Sequence, residues 1–162
     1  MNADEKRIEI QFTLNGEKVK TEVLPGMTVL EMIRRNFKLT AAKEGCGKGE
    51  CGACSVLFNG LPINSCLKLA ATLTEKDSII TVEGLANDEL MQRIQKAYVE
   101  EGAVQCGFCI PGMTISSYYL LKKNPQPTME EIKHSLAGNI CRCTGYRKIE
   151  AAIVKAAERG NK

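Results

Sequence analysis

The sequence has little of several features that would indicate common functions. It contains no tryptophan, aromatic residues make up only 5% of its 162 residues, and His134 is its single histidine. No apolar run approaches the roughly 20 residues that a membrane-spanning helix needs, so no membrane insertion is predicted. Basic and acidic residues are interspersed and the net charge is +3, without the basic footprint of a nucleic-acid-binding protein. Membrane insertion and a nucleic-acid partner are therefore not expected.

A secretory leader is also not predicted. The first residues, MNADEKRIEIQF, are polar and charged and lack the apolar segment that directs export. Arg34 and Arg35 lie inside a predicted helix far from the first residue, so they do not indicate a twin-arginine leader. The sequence therefore predicts a cytoplasmic protein. Because disulfides are rare in the reducing cytosol, we expect the eight cysteines to bind metal.

The residue pattern changes near residue 85 from strands to helices. Alternating apolar residues predict the strands, and capping residues followed by apolar positions at helical spacing predict the helices. The expected fold class is α+β, with a small sheet domain over 1–84 and a four-helix bundle over 85–162. In chain order, we predict strands at 8–14 and 19–23, a helix from Thr28 to about Asn36, strands at 55–58 and 61–63, a short helix at about 65–71, a strand at 79–84, and helices over about 88–101, 110–123, 128–137 and 146–159.

The first cysteine group lies in EGCGKGECGAC (44–54) and is completed by Cys66. Its spacing, C-x4-C-x2-C followed by a distant fourth cysteine, is that of plant-type ferredoxins with a [2Fe–2S] cluster. Structural zinc sites usually use two short C-x2-4-C pairs, and a Rieske centre needs two histidines. The four loop glycines, Gly45, Gly47, Gly49 and Gly52, permit left-handed conformations and let N–H groups approach the sulfurs. The expected ligands of this cluster are Cys46, Cys51, Cys54 and Cys66.

The second cysteine group joins VQCGFCIPGM (104–113) to NICRCTGY (139–146). A disulfide between Cys141 and Cys143 would close a small, strained ring, so this pair is also expected to bind metal. Each pair precedes a predicted helix, and helix N-termini offer free N–H groups and a positive dipole end to an anionic cluster. The spacing, C-x2-C then C-x-C, is less diagnostic, and from spacing alone Zn²⁺ stays open as the alternative.

Four segments together resemble one protein family. EGCGKGECGACSV, INSCL, VQCGFCIPGM and GNICRCTGY look like the signature segments of the iron–sulfur subunit of molybdenum hydroxylases, which include xanthine dehydrogenase, aldehyde oxidoreductase and carbon monoxide dehydrogenase. The resemblance covers roughly residues 7–158. It implies a ferredoxin-like (β-grasp) domain over 1–84 with the first [2Fe–2S] cluster. The helical domain would hold the second cluster on Cys106, Cys109, Cys141 and Cys143.

The resemblance also implies a role and partners. In that family the second cluster lies next to the molybdopterin of a large subunit, with the residues matching Gln105 and Cys143 near the pterin. The first cluster passes electrons towards FAD on a medium-sized subunit or to an external acceptor. This chain is too short to contain the domains that bind molybdopterin or FAD. It is therefore expected to be a non-catalytic electron-relay subunit of an oxidoreductase.

Several alternatives stay open at this point. One branch of the family works reductively, removing a hydroxyl group from an aromatic thioester rather than hydroxylating a carbon with oxygen from water. A free-standing two-cluster ferredoxin and a zinc-stapled interaction protein are the other two classes. The substrate of the whole enzyme is not readable here, because its pocket would lie on another polypeptide.

Overall fold

The structure is a computed structural model that describes residues 6–158 and 160. Within these residues, one α-helix lies between the second and third strands, and the other four α-helices follow all the strands. In chain order the elements are β1 (Ile8–Leu14), β2 (Glu17–Val23), α1 (Val29–Arg35), β3 (Ser55–Phe58), β4 (Leu61–Asn64), β5 (Ser78–Ile80), α2 (Glu89–Glu100), α3 (Ile110–Lys123), α4 (Met129–Leu136) and α5 (Arg147–Glu158). The predicted α+β class, a small sheet followed by four helices, is confirmed.

The strands form one mixed sheet in the order β2-β1-β5-β3-β4. Strands β1 and β5 are parallel, and the other neighbours are antiparallel. The turn between β1 and β2 has φ values of 51° at Asn15 and 90° at Gly16, the left-handed conformations that an Asn-Gly hairpin turn requires. Helix α1 starts with a capping box between Thr28 and Glu31 and packs its apolar face on the sheet.

Two hydrophobic cores meet where α3 packs against β3 and β4. The first core lies between the sheet and α1 and includes Cys54 and Cys66. The second lies among α2, α3, α4 and α5 and includes Cys109 and Cys141. Leu57 of β3 belongs to this second core, so the sheet contributes directly to the packing of the helices. Each core therefore ends at one of the two cysteine groups.

The predicted short helix at 65–71 is wrong. Only a three-residue 3-10 turn, Ala70–Thr72, forms there. The backbone of this segment instead bonds to the chain just before α1: the Lys68 carbonyl accepts from the Val29 N–H at 2.7 Å, and the Ala70 N–H donates to the Met27 carbonyl at 2.8 Å. Because these groups have distant partners, they are not available for an α-helical ladder.

The predicted strand at 79–84 is too long. Strand β5 ends at Ile80, and a 3-10 turn follows at Glu83–Leu85. The cause is Asn15, whose side-chain Oδ1 accepts a hydrogen bond from the Thr81 N–H at 2.8 Å and so replaces a strand neighbour. A Cβ at Gly84 would overlap the same Asn15 side chain, which explains why a glycine stands there.

The last helix begins one residue later than predicted. Tyr146 has a φ of 67°, outside the right-handed helical region, so α5 begins at Arg147. The predicted final residue of this helix, Arg159, lies outside the described residues. The proposed domain boundary between residues 84 and 85 falls inside the turn Glu83–Leu85 and stays a prediction. Among the described residues, no helix is long and apolar enough to span a membrane.

Candidate metal centres

The first cysteine group lies on the loop between α1 and β3, and its fourth member follows β4. The loop turns back on itself, so the N–H groups of Lys48 and Glu50 donate to Cys46 Sγ at 3.5 and 3.3 Å. On the opposite side, the Ser65 hydroxyl donates to the carbonyl of Cys54 at 2.6 Å and ties the two cysteine-bearing segments together. The backbone amides are thus directed at a sulfur, as an anionic cluster requires.

The loop glycines have two different roles. Gly47, Gly49 and Gly52 have φ values of 65°, 83° and 67°, which confirms the left-handed conformations expected for them. Gly45 is not among the residues with positive φ. A Cβ at Gly45 would lie 2.8 Å from Cys51 Sγ, so this glycine is required for space rather than for conformation.

In the first group, the pKa of an outer thiol, Cys46, differs from the pKa of an inner thiol, Cys54. The N–H groups of Lys48, Cys51 and Glu50 lower the pKa of Cys46 to about 6, because they stabilise the thiolate. Burial raises the pKa of Cys54 to about 11, and the Cys66 thiol acts in the same direction, whereas the Cys66 N–H opposes them. In the iron-free chain, the Cys46 thiol therefore ionises at a lower pH than the Cys54 thiol.

The second group joins the start of α3 to the loop between α4 and α5. Cys109 is the N-cap residue of α3. The Cys143 thiol donates to Cys106 Sγ at 3.5 Å, and the Cys141 thiol is close enough to Cys109 to raise the pKa of that thiol. The second pair precedes α5 as expected, with three residues between Cys143 and Arg147. A loop rather than a helix terminus positions Cys141 and Cys143.

The thiols of the second group also differ in their pKa values. Burial raises the pKa of Cys109 to about 12. Burial opposes the ionisation of Cys141 too. Hydrogen bonds from Thr144, whose Oγ1 lies 3.1 Å from Cys141 Sγ, together with the Cys143 N–H and the Cys109 thiol, outweigh burial and lower the pKa. The Phe108 N–H and then the Cys143 thiol lower the pKa of Cys106, and the same thiol contact raises the pKa of Cys143.

The two groups share one arrangement. All eight cysteines are free thiols, and each group has a buried pair and a more exposed pair. In the described part of the chain, no three His, Cys, Asp or Glu side chains converge on a single ion position. The thiols approach each other as pairs instead, and two thiolates for each iron is the donor set of a [2Fe–2S] cluster. The pairs are Cys46 with Cys51, Cys54 with Cys66, Cys106 with Cys143, and Cys109 with Cys141.

One cavity of about 280 Å³ connects the two groups. Phe108 and Ile140 line it on the helical side, and Gly45 and Ala53 line it on the sheet side. Six of the eight predicted ligands also line this cavity: Cys46, Cys51, Cys106, Cys109, Cys141 and Cys143. The structure therefore brings together two sites that lie far apart in the sequence.

The remaining predicted residues lie at the surface. Gln105 is exposed next to Cys106, and Cys143 is exposed at the outer end of its pair. A larger groove of about 560 Å³ lies between α3 and α4 and contains the exposed His134, but it has no cysteine. The chemistry-bearing side chains are thus concentrated at the smaller cavity.

Sequence reasoning missed the residues that hold the C-x-C loop in place. The Tyr146 hydroxyl accepts from the Cys141 N–H at 2.9 Å and donates to the Asn139 carbonyl at 3.3 Å. Asn139 is buried and bonds to Gly52 and Ser116. Both residues stand inside the GNICRCTGY segment, so their closeness to the cysteines was the available signal. The sequence pattern does not indicate their hydrogen-bonding partners, which lie up to 87 residues away.

Two family assignments cover the chain. Residues 2–94 match the 2Fe-2S iron-sulfur cluster binding domain, and residues 81–154 match the [2Fe-2S] binding domain. Each match contains one complete cysteine group. The sequence thus contains two different [2Fe–2S]-binding domains, and its cofactors are two [2Fe–2S] clusters.

Two bacterial relatives match over nearly their whole length. The nicotinate dehydrogenase small FeS subunit of Eubacterium barkeri is 49% identical over 94% of this chain and 97% of its own. The xanthine dehydrogenase iron-sulfur-binding subunit of Escherichia coli O157:H7 is 44% identical over 91% of this chain and 92% of its own.

Solved structures show the same fold. A chain of quinoline 2-oxidoreductase from Pseudomonas putida 86 superimposes with a TM-score of 0.88 and 39% identity, over 96% of both chains. The aldehyde oxidoreductase of Desulfovibrio desulfuricans gives a TM-score of 0.87 and 35% identity, over 95% of this chain but only 17% of that one. The fold and the two cysteine groups define a two-cluster iron–sulfur protein. The chain belongs to the family of small iron–sulfur subunits of molybdenum hydroxylases.

The unequal thiol pKa values predict selective alkylation of the iron-free chain. At pH 7 the Cys46 thiol, with a pKa of about 6, is mostly thiolate, whereas the buried Cys54, with a pKa of about 11, is a thiol. Iodoacetamide should therefore modify Cys46 before Cys54, at a rate that rises with pH up to about 7 and then levels off. Peptide mass spectrometry after short exposures measures this. Modification of Cys54 before Cys46 in a folded apo chain would contradict the assignment.

Proposed function

We propose that this chain is the electron-relay subunit of a multi-subunit molybdenum hydroxylase. Cys46, Cys51, Cys54 and Cys66 would hold one [2Fe–2S] cluster, and Cys106, Cys109, Cys141 and Cys143 the other. Electrons would pass between a molybdopterin site on a large subunit and FAD on a medium-sized subunit, or an external acceptor. A cytoplasmic location and a domain boundary between residues 84 and 85 belong to the same proposal.

The shared cavity is the observation that carries this proposal. A relay needs its two redox sites close together, and six of the eight thiols line one space of about 280 Å³. A relay also needs an end that a partner can approach. Cys106 and Cys143 are exposed, and they have exposed apolar neighbours in Phe108 and Ile140. This apolar rim favours a protein partner at the second site.

The residues of this chain bind the clusters and control their surroundings. When bound, each [2Fe–2S] cluster supplies one-electron storage. The N–H groups of Lys48 and Glu50 point at Cys46 Sγ and would stabilise added negative charge there. Cys54 and Cys109 lie in the two cores, which keep water away from the inner side of each site. The chain's part in the reaction is thus to hold, insulate and connect two redox sites.

The relatives support the role of a small subunit. The nicotinate and xanthine dehydrogenase relatives are named as small or iron-sulfur-binding subunits. In the aldehyde oxidoreductase, the matching region is 17% of a much longer chain. We therefore place the molybdopterin and FAD functions on separate polypeptides that assemble with this one, and Gln105 and Cys143 at the face towards the pterin.

Purification from the native host with an affinity tag on this chain tests the proposal. The expected preparation contains a large molybdenum-containing subunit, about four irons for each copy of this chain, and two distinct [2Fe–2S] signals in low-temperature EPR. A monomer with both signals but no partner would be a free-standing carrier instead. A colourless, zinc-containing chain would overturn the cluster assignment itself.

A further inference from the structure

A buried asparagine connects the two cysteine loops. Asn139 is 5% exposed and lies two residues before Cys141. Its Nδ2 donates to the carbonyl of Gly52, the residue after Cys51, at 3.1 Å. Its Oδ1 accepts from the Ser116 hydroxyl on α3 at 2.7 Å. Both ends of the amide are therefore occupied, and the side chain joins the first cysteine loop, the second cysteine loop and α3.

A backbone hydrogen bond runs beside this asparagine. The Ile140 N–H donates to the carbonyl of Cys51 at 2.9 Å. Cys51 belongs to the first thiol group, and Ile140 is the residue directly before Cys141 of the second. A route made only of covalent bonds and this single hydrogen bond therefore joins a sulfur of one group to a sulfur of the other.

The junction is packed too closely to shift freely. A Cβ at Gly52 would overlap both Asn139 Nδ2 and the Gly138 carbonyl, and a Cβ at Gly112 would overlap the Gly52 carbonyl. Gly52 is thus enclosed by α3 on one side and by the segment 138–139 on the other. The Gly52 carbonyl also accepts from the hydroxyl and the N–H of Ser55, at 2.7 and 3.1 Å, and both of these donors lie next to the first cysteine loop. The Asn139 amide is therefore the side chain that ties this carbonyl to the second cysteine loop.

We propose that Asn139 is a positioning residue that sets the electronic coupling between the two clusters. It does so by tying the Gly52 carbonyl to the second cysteine loop, which keeps the Ile140 N–H on the Cys51 carbonyl. The proposal rests on the proposed function, because it takes the eight cysteines as cluster ligands. In the step concerned, one site is oxidised and the other is reduced by a single electron, and no bond forms or breaks. The electrons come from the reducing substrate of the enzyme or, in the test, from dithionite.

The test compares Asn139→Ala with the wild type in the assembled enzyme. Two reduced clusters that lie close together split each other's EPR lines. The dipolar part of this splitting depends on their distance and the exchange part on the bonded route between them, so a change in splitting at unchanged cluster distance reports the coupling. We expect the variant to keep about four irons per chain and both signals, but to show a smaller exchange splitting. Rapid-freeze experiments should show a severalfold slower transfer of electrons from the second site to the first. A role in stability alone would lower the melting temperature and leave the splitting unchanged.

Asn64 provides a matched control. Its Nδ2 also donates to a glycine carbonyl of the first cysteine loop, that of Gly49, at 2.7 Å, but no residue of the second group takes part in that contact. Asn64→Ala should change the signal of the first cluster at most and keep the splitting. An equal loss of splitting in Asn64→Ala and Asn139→Ala would show general loosening of the loop and overturn the proposal.

A milder variant covers the case in which Asn139→Ala loses its clusters. Ser116→Ala removes only the hydroxyl that orients the Asn139 amide, so it should retain the iron and show a smaller loss of splitting in the same direction. Unchanged splitting in an iron-replete Asn139→Ala variant, or in Ser116→Ala if that variant alone retains iron, overturns the proposal. A wild-type enzyme without two [2Fe–2S] signals would instead refute the proposed function, so the two failures are distinguishable.

Discussion

Replacing Cys141 by alanine should remove one of the two [2Fe–2S] signals and lower the iron content from about four to about two per chain. Cys141 is only 8% exposed and belongs to the core among the helices, so its replacement removes one of the four thiols of the second site from the buried side. The remaining signal should be that of the first site. Electron delivery to the acceptor should then stop, because the relay has lost one of its two members. Iron analysis and low-temperature EPR on the anaerobically purified variant measure the effect.

Cys54→Ala is the reciprocal control. Cys54 is similarly buried, at 2% exposure, but it belongs to the core between the sheet and α1. It should remove the other signal and leave the second site occupied. If either variant loses both signals while its circular dichroism is unchanged, the division of the cysteines into two independent ligand sets is wrong.

Replacing Gly52 by alanine should destabilise the protein by about 3 kcal/mol or more. A φ of 67° costs an L-residue roughly 1–2 kcal/mol. The added Cβ would also overlap Asn139 Nδ2 and the Gly138 carbonyl, and such overpacking typically costs about 1–3 kcal/mol. In a chain of this size the expected fall in melting temperature is about 6–12 °C. Thermal melting followed by circular dichroism under anaerobic conditions measures it.

Three other glycines separate the two causes. Gly60 has a φ of 82° but nothing near its Cβ position, so Gly60→Ala should show the conformational cost alone. Gly112 has no positive φ, but its Cβ would overlap the Gly52 carbonyl, so Gly112→Ala should show the steric cost alone. Gly138 has neither feature, and its substitution should leave the melting temperature nearly unchanged. Equal effects at Gly52 and Gly60 would show that the junction is not tightly packed.

The regular elements were predictable where local residues decide them. The strand at 8–14 and the helix at 110–123 have the bounds that their residue patterns predicted, because alternation and Asn-Pro punctuation act over a few residues. The segments 65–71 and 79–84 were predicted wrongly because distant residues, Met27 and Asn15, take their backbone hydrogen-bonding groups. Propensity carries no information about such partners.

The candidate site was likewise predictable only where neighbouring residues decide its structure. The spacing of Cys46, Cys51 and Cys54 within one short loop indicated the cluster type, since the three thiols reach one site without any tertiary contact. Which thiols form pairs was not readable, and neither was the shared cavity. Both depend on contacts such as that between Asn139 and Gly52, which join residues 87 positions apart. Long-range packing therefore determines how the two sites relate.

The contrast between the two cysteine groups bears on the order in which the protein matures. Three thiols of the first group lie within nine consecutive residues, 46–54, whereas 31 residues, including α3 and α4, separate the pairs of the second group. Closing the longer loop costs more conformational entropy, and the second set of thiols comes together only after these helices have packed. We therefore expect iron to enter the first site on a chain that is still partly folded. Iron delivery to the second site would then require that the helical domain has already folded.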